Sequence, residues 1–195
     1  ISTNKNGSIV AIGAWFNDGN GNNSGHVRVY ENNAGNWSQI GQDIDGESSS
    51  DGSGTVSINS DGNIVAIGAH LNNGNGSSSG HVRVYEYISG SWVQIGQDID
   101  GESAGDLSGH SVSINSFGNI VAIGAFNNDN INGSSAGHVR IYENISGSWV
   151  QIGQDIDGEE HNSGIGLSIN SAGNIVAIGE NGYGYPNGGL YTGTF

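Results

Sequence analysis

The run Asn63-Ile64-Val65-Ala66-Ile67-Gly68-Ala69 constrains this chain more than any other feature, because it returns as Asn119 to Ala125, nearly as Asn174 to Gly179, and as Ser8 to Ala14. The glycine that opens each copy is Gly7, Gly62, Gly118 or Gly173, so the copies lie 55, 56 and 55 residues apart. A unit of that length found four times sets the architecture before any single residue does. The run is short, apolar without alternation, rich in β-branched residues and bounded by glycine, which describes a strand buried on both faces. In a tandem array the covering layers are the neighbouring copies.

Composition supports sheet and argues against helix. There are 23 Ile and 13 Val against 4 Leu, no Met and one Lys, while 36 glycines supply the φ > 0 positions of tight turns. In the second copy the strands are expected at Thr55 to Asn59, Asn63 to Ala69, Gly80 to Glu86 and Trp92 to Gly96, with Ser60-Asp61-Gly62-Asn63 as the first hairpin turn. Four sequential antiparallel strands in about 55 residues describe a blade of a β-propeller; a β-solenoid is the runner-up. The expected class is therefore an all-β propeller with three full blades and an incomplete fourth, the repeats being about 1–54, 55–109, 110–164 and 165–195. The whole is either a single domain or an arc of a larger ring, and the tail lacks the Trp-bearing fourth strand.

The net charge of −15 repels phosphate backbones and anionic membrane, so nucleic acid is excluded as a partner. No cysteine is present, and no apolar run approaches the length of a membrane span.

The segments Val112 to Ala125 and Ser135 to Tyr142 together resemble an FG-GAP repeat, the family of integrin α-subunit propellers and of repeat-rich secreted surface proteins of marine flavobacteria. The resemblance implies a propeller, commonly seven-bladed, with an extracellular or cell-surface location and a role in adhesion or recognition. Two departures stand out. Phe-Gly-Gly-Ala-Pro is reduced to Ile-Gly-Ala followed by Trp15, His70 or Phe126, and the alternating aspartates of the family's calcium loop are missing before Gly7, Gly62, Gly118 and Gly173.

Three candidate sites follow from the residues. The motif Asp-Ile-Asp-Gly-Glu occurs as Asp43, Asp45 and Glu47, as Asp98, Asp100 and Glu102, and as Asp155, Asp157 and Glu159. Alternate carboxylates before a glycine turn could gather calcium; otherwise no cofactor is expected. The competing reading pairs one carboxylate per copy with the repeat's arginine, since Arg28, Arg83 and Arg140 share one register position, as an inter-blade ion pair requires. The second set, His26, His81 and His138 with Trp37, Trp92 and Trp149, reads as packing between blades. The third set breaks the repeat: Trp15, His70, Phe126 and Asn181 share one position at the end of the central strand, beside Asn/Gly/Ser loops. An exposed aromatic among amides can stack on and hydrogen-bond a sugar. No nucleophile, base and orienter can be assembled, so the sequence points away from an enzyme. The expected function is an extracellular propeller of a surface or adhesion protein, binding a glycan or a cell-surface protein through its rim loops. The alternative is a structural repeat or assembly subunit. Self-association, or membership of a larger parent chain, is expected under either.

Overall fold

The computed structural model describes residues 1–158, 163–180 and 191–193. Blade 1 comprises β1 (Ser2–Thr3), β2 (Ile9–Ala14), β3 (His26–Asn33), β4 (Asn36–Gln39) and β5 (Ile44–Asp45). Blade 2 comprises β6 (Thr55–Ile58), β7 (Ile64–Ala69), β8 (His81–Ile88), β9 (Ser91–Gln94) and β10 (Ile99–Asp100); blade 3 comprises β11 (Ser111–Ile114), β12 (Ile120–Ala125), β13 (His138–Ile145), β14 (Ser148–Gln151) and β15 (Ile156–Asp157). Blade 4 has β16 (Ser163–Ile169), β17 (Val176–Glu180) and β18 (Tyr191–Gly193). Within each blade the strands meander antiparallel in chain order, and the described residues contain no helix. The fold is of the β-propeller kind, built from successive antiparallel blades.

One element was not foreseen. In the three full blades the outermost position is divided between two short strands: β9 pairs with the end of β8, and β10 with its start, through His81↔Asp100 and Val82↔Ile99. The eight-residue β8 is too long for the four-residue β9 to cover, so the chain leaves at Ile95 and returns to pair again. That return brings the acidic motif against the strand carrying histidine and arginine.

The turn that opens each central strand is built by one asparagine. Asn59 Oδ1 accepts from the N–H groups of Gly62, Asn63 and Ile64 at 3.0, 3.1 and 3.0 Å, and Asn170 makes the same set with Gly173, Asn174 and Ile175. Gly62 has φ +80°, and a Cβ there would stand 2.5 Å from Ile9 Cδ1 of the preceding blade. The repeated glycine thus meets both a backbone and a packing requirement.

The core lies between blades. Val65 and Ile67 face back to pack on Ala11, Val27 and Val29 of blade 1, whereas Ala66 faces forward onto Val121 and Ile123 of blade 3. Val65, Ala66 and Ile67 are at most 1% exposed, as a strand covered on both faces requires. Burying each Val or Ile contributes roughly 1.5–3 kcal/mol. The pattern is directional: large residues look to the preceding blade, small ones to the next. Inner strands are stitched by one serine per copy, with Ser2, Ser57 and Ser113 Oγ accepting from the N–H groups of Ile58, Ile114 and Ile169 at 3.1 Å each. Among the described residues no hydrogen bond joins blade 4 back to blade 1.

The blades also approach closely at Gly68, where a Cβ would fall 2.0 Å from Gly109 O. Gly68→Ala should therefore push blades 2 and 3 apart and cost about 1–3 kcal/mol. Urea denaturation checks this, and an unchanged midpoint would refute the close packing.

Candidate functional site

Three of the four repeat-breaking residues converge. Trp15, His70 and Phe126 each follow a central strand, at the end of the inner strands opposite the asparagine turns. Their rings form a continuous arc with a fourth, His110, which immediately precedes β11. Ring centroids are 4.9 Å apart for Trp15 and His70, 5.4 Å for His70 and His110, and 4.5 Å for His110 and Phe126. Asn181 lies outside the described residues. His110 was not singled out from the sequence, although a signal exists: the 56-residue spacing marks one extra residue in the third copy, and that residue is His110, since Gly54 and Gly109 are the counterparts, donating to Gly68 O and Gly124 O at 3.1 Å each. A Cβ on Gly54 would stand 2.2 Å from Trp15 Cδ1. Trp15 therefore lies over the backbone of Gly54 at the first junction, whereas a Cβ on the equivalent Gly109 would meet His81 O at 2.5 Å rather than a ring.

Burial, reinforced by His110, lowers the His70 pKa to about 4, and burial lowers that of His110 as well. Both rings are therefore neutral at pH 7. Their Nδ1 atoms are buried without a hydrogen-bond partner, while Trp15 is 36% exposed and the adjacent Phe16 is 78% exposed. The arc thus offers aromatic faces to solvent and two unused imidazole nitrogens beneath them.

The acidic motifs are arranged differently. Asp43 receives Arg28 of its own blade through two hydrogen bonds, 2.9 Å from Nε and 2.7 Å from Nη2. That guanidinium and the Gln39 amide bring the Asp43 pKa down to about 2. Glu47 reaches forward instead, to 3.3 Å from Arg83 Nη1 of blade 2, while Arg83 Nη2 donates to Asp45 O at 2.8 Å. Glu102 reaches Arg140 of blade 3 in the same way, and Arg140 also meets Asp155 at 3.3 Å. In the first copy the carboxylates of one motif therefore diverge to two arginines, whereas in the second Glu102 goes forward to Arg140 while Asp98 lies beside His81 and accepts from Gln94 Nε2 at 2.6 Å.

What converges is a mixed set drawn from successive motifs. His81 Nδ1 lies 3.7 Å from Asp98 Oδ2 and 4.0 Å from Glu47 Oε2; Glu102, His138 and Asp155 repeat the group, and His26, Asp43 and Asp45 form its blade 1 version. Asp98, Asp100, Glu47 and Asp51 line a cavity of about 380 Å³ with His81. Burial, with neighbouring aspartates, raises Glu47 against the pull of Arg83, and burial raises Asp100. Burial, with Arg83 beside it, lowers His81 to about 4. Asp157 sits at the start of β13 opposite His138, and Glu159 lies outside the described residues. Three clustered ligand atoms per junction could take a cation, but the arginines occupy the same carboxylates.

Packing between blades accounts for two of the tryptophans. Trp92 and Trp149 are 3% and 4% exposed and donate through Nε1 to Ile40 O and Ile95 O of the preceding blade, at 3.0 and 2.8 Å. Trp37 is 49% exposed.

A propeller whose blades meet through tryptophan, arginine and glutamate, with an aromatic arc at one end of its inner strands, is the class these features define. No family model matches the chain, and no curated protein is similar to it in sequence. Solved structures do share its fold. A "putative 6-phosphogluconolactonase" of Bacteroides uniformis is similar at 13% identity and TM-score 0.57, over 97% of this chain and 51% of its own. One of the same description from Bacteroides fragilis is similar at 13% identity and TM-score 0.54, over 91% and 40%. The hydrazine synthase of Kuenenia stuttgartiensis is similar at 15% identity and TM-score 0.53, over 91% and 42%. The chain spans about half or less of the length of these proteins. They correct one expectation: that the chain is not an enzyme does not stand, because the fold is shared with proteins named for catalysis.

Proposed function

We propose that this chain is a recognition arc of a β-propeller in an FG-GAP-like surface or adhesion protein, holding a saccharide on the rings of Trp15, His70, His110 and Phe126. The observation that carries the reading is that residues free to vary from copy to copy meet in one continuous set of rings. Packing demands no such convergence. Aromatic faces suit the apolar face of a sugar ring, and loop amides suit its hydroxyls. With a net charge of −15 a neutral or cationic glycan is favoured over a phosphorylated one. The test is a glycan array followed by calorimetry: Trp15→Ala and Phe126→Ala should each weaken the identified ligand by about 2 kcal/mol, roughly thirtyfold in Kd. Unchanged affinity in both variants, or no glycan bound at all, would remove the reading.

Hydrolysis of a sugar lactone is the second reading, and His70 with His110 is what favours it. A neutral imidazole can take a proton from attacking water and return it to the ring oxygen as the acyl C–O bond breaks. Turnover of an unphosphorylated lactone that is lost in His70→Gln and His110→Gln would establish it.

A further inference from the structure

The two junctions between full blades are made by the same three contacts, and the face of blade 1 turned away from blade 2 carries all three residues with no other blade against them among the described residues. Ile12 is 37% exposed, where its equivalents Ile67 and Ile123 are 1% and 2%. The Arg28 side chain is 43% exposed, against 8% for Arg83 and 11% for Arg140. Trp37 is 49% exposed, against 3% and 4% for Trp92 and Trp149.

The two occupied junctions show what covers such a face. Gln42 clasps the backbone of Trp92, its Oε1 accepting from the Trp92 N–H at 3.0 Å and its Nε2 donating to Trp92 O at 2.8 Å. Gln97 holds Trp149 in the same way, at 3.2 and 2.8 Å. The indole lies over the glycine before that glutamine: a Cβ on Gly41 would stand 2.6 Å from Trp92 Cδ1, and one on Gly96 2.7 Å from Trp149 Cδ1. The glutamate that follows the clasp takes the arginine.

We propose that the exposed face of blade 1 is a docking face for one further blade of this repeat, presenting Ile-Gly-Gln behind its fourth strand and a glutamate five residues after the glutamine. Trp37 seats on the glycine, the glutamine clasps its backbone, and the glutamate completes Arg28, which already holds Asp43. The occupant is not a second copy of these 195 residues. Ile40–Gln42 and Ile95–Gln97 are already filled; Gly153 and Gln154 are exposed, but Ile152 beside them packs on Ile169, Val176 and Ile178 of blade 4, so the inner strands of a docking blade would have to displace β16 and β17. The solved structures of like fold are about twice as long or more, which leaves room for the extra blade.

The test places a second copy of residues 1–55 ahead of Ile1, so that its Thr55 runs into Ile1 as Thr55 runs into Val56. Acrylamide quenching of Trp37 is read as the difference between each protein and its Trp37→Phe variant, the substitution being made in the original unit. In the 195-residue chain Trp37 should be readily quenched at all concentrations; in the extended chain its quenching constant should fall several-fold. Gly41→Val in the added unit should restore quenching, because the side chain fills the indole seat. Continued quenching in the extended chain overturns the proposal, as does protection that survives Gly41→Val. Protection that appears in the 195-residue chain on concentration assigns the face to a second copy and overturns it equally.

Discussion

Trp92→Ala should cost about 3–5 kcal/mol of stability, while Trp37→Ala in the same chain should cost less than about 1 kcal/mol. The two residues hold the same position in consecutive copies, so composition and local strand geometry predict equal effects. Their surroundings differ. The Trp92 ring is buried against Ile40, Gly41 and Tyr87, with ring centroids of Trp92 and Tyr87 5.2 Å apart. Removing it opens a cavity between two blades and leaves Ile40 O without its indole donor. About half of Trp37 already faces water. Urea denaturation of the two variants decides the matter, and equal losses would mean that the blade 1 face is covered in solution.

Stability should fall by several kcal/mol between pH 6.5 and pH 4. Four histidines are held below their ordinary value by burial: His70 and His81 to about 4, and His110 and His138 in the same direction. A group whose folded pKa is depressed contributes stability above its unfolded pKa and loses it as pH falls towards the folded one. The window therefore opens near pH 6.5, where the unfolded chain begins to take up protons that the folded rings refuse. A shift of this size is worth on the order of 2–3 kcal/mol for well-buried His81. For His70, which solvent partly reaches, about 1–2 kcal/mol remains. Glu47 and Asp100 act in the opposite sense, because their raised pKa values let the folded state bind protons first; they recover part of the loss at the lower end. Asp43, at about 2, contributes below the window. Denaturation midpoints at pH 7 and pH 4.5 give the readout. His70→Phe should flatten the profile, and a protein equally stable at both values would contradict the burial of these rings.

These two results separate what repeats from what does not. The strands, the turn glycines and the inter-blade role of the arginines were legible because each is imposed locally and recurs: Gly62 must have positive φ, and Arg83 must find a carboxylate wherever a blade follows a blade. The acidic motif was legible as a motif but not as a geometry. In the first copy its aspartate and its glutamate serve arginines of different blades, and that division depends on β5 returning to pair with the start of β3. His110 escaped notice because it is one residue extra to the repeat and its meaning lies in the rings of His70 and Phe126, which only the packing of blades brings to it.

By itself the sequence determined the period, the strand content, the acidic surface and the order of large and small residues on each central strand. Those are consequences of backbone sterics and of apolar burial on both faces, and they act within one repeat. Only the tertiary structure decided which of three identical tryptophans is buried, which histidines stay neutral and which rings meet. These outcomes depend on what stands on the other side of a junction, and the inter-blade contact is where neighbours unlike in sequence are brought to within bonding distance.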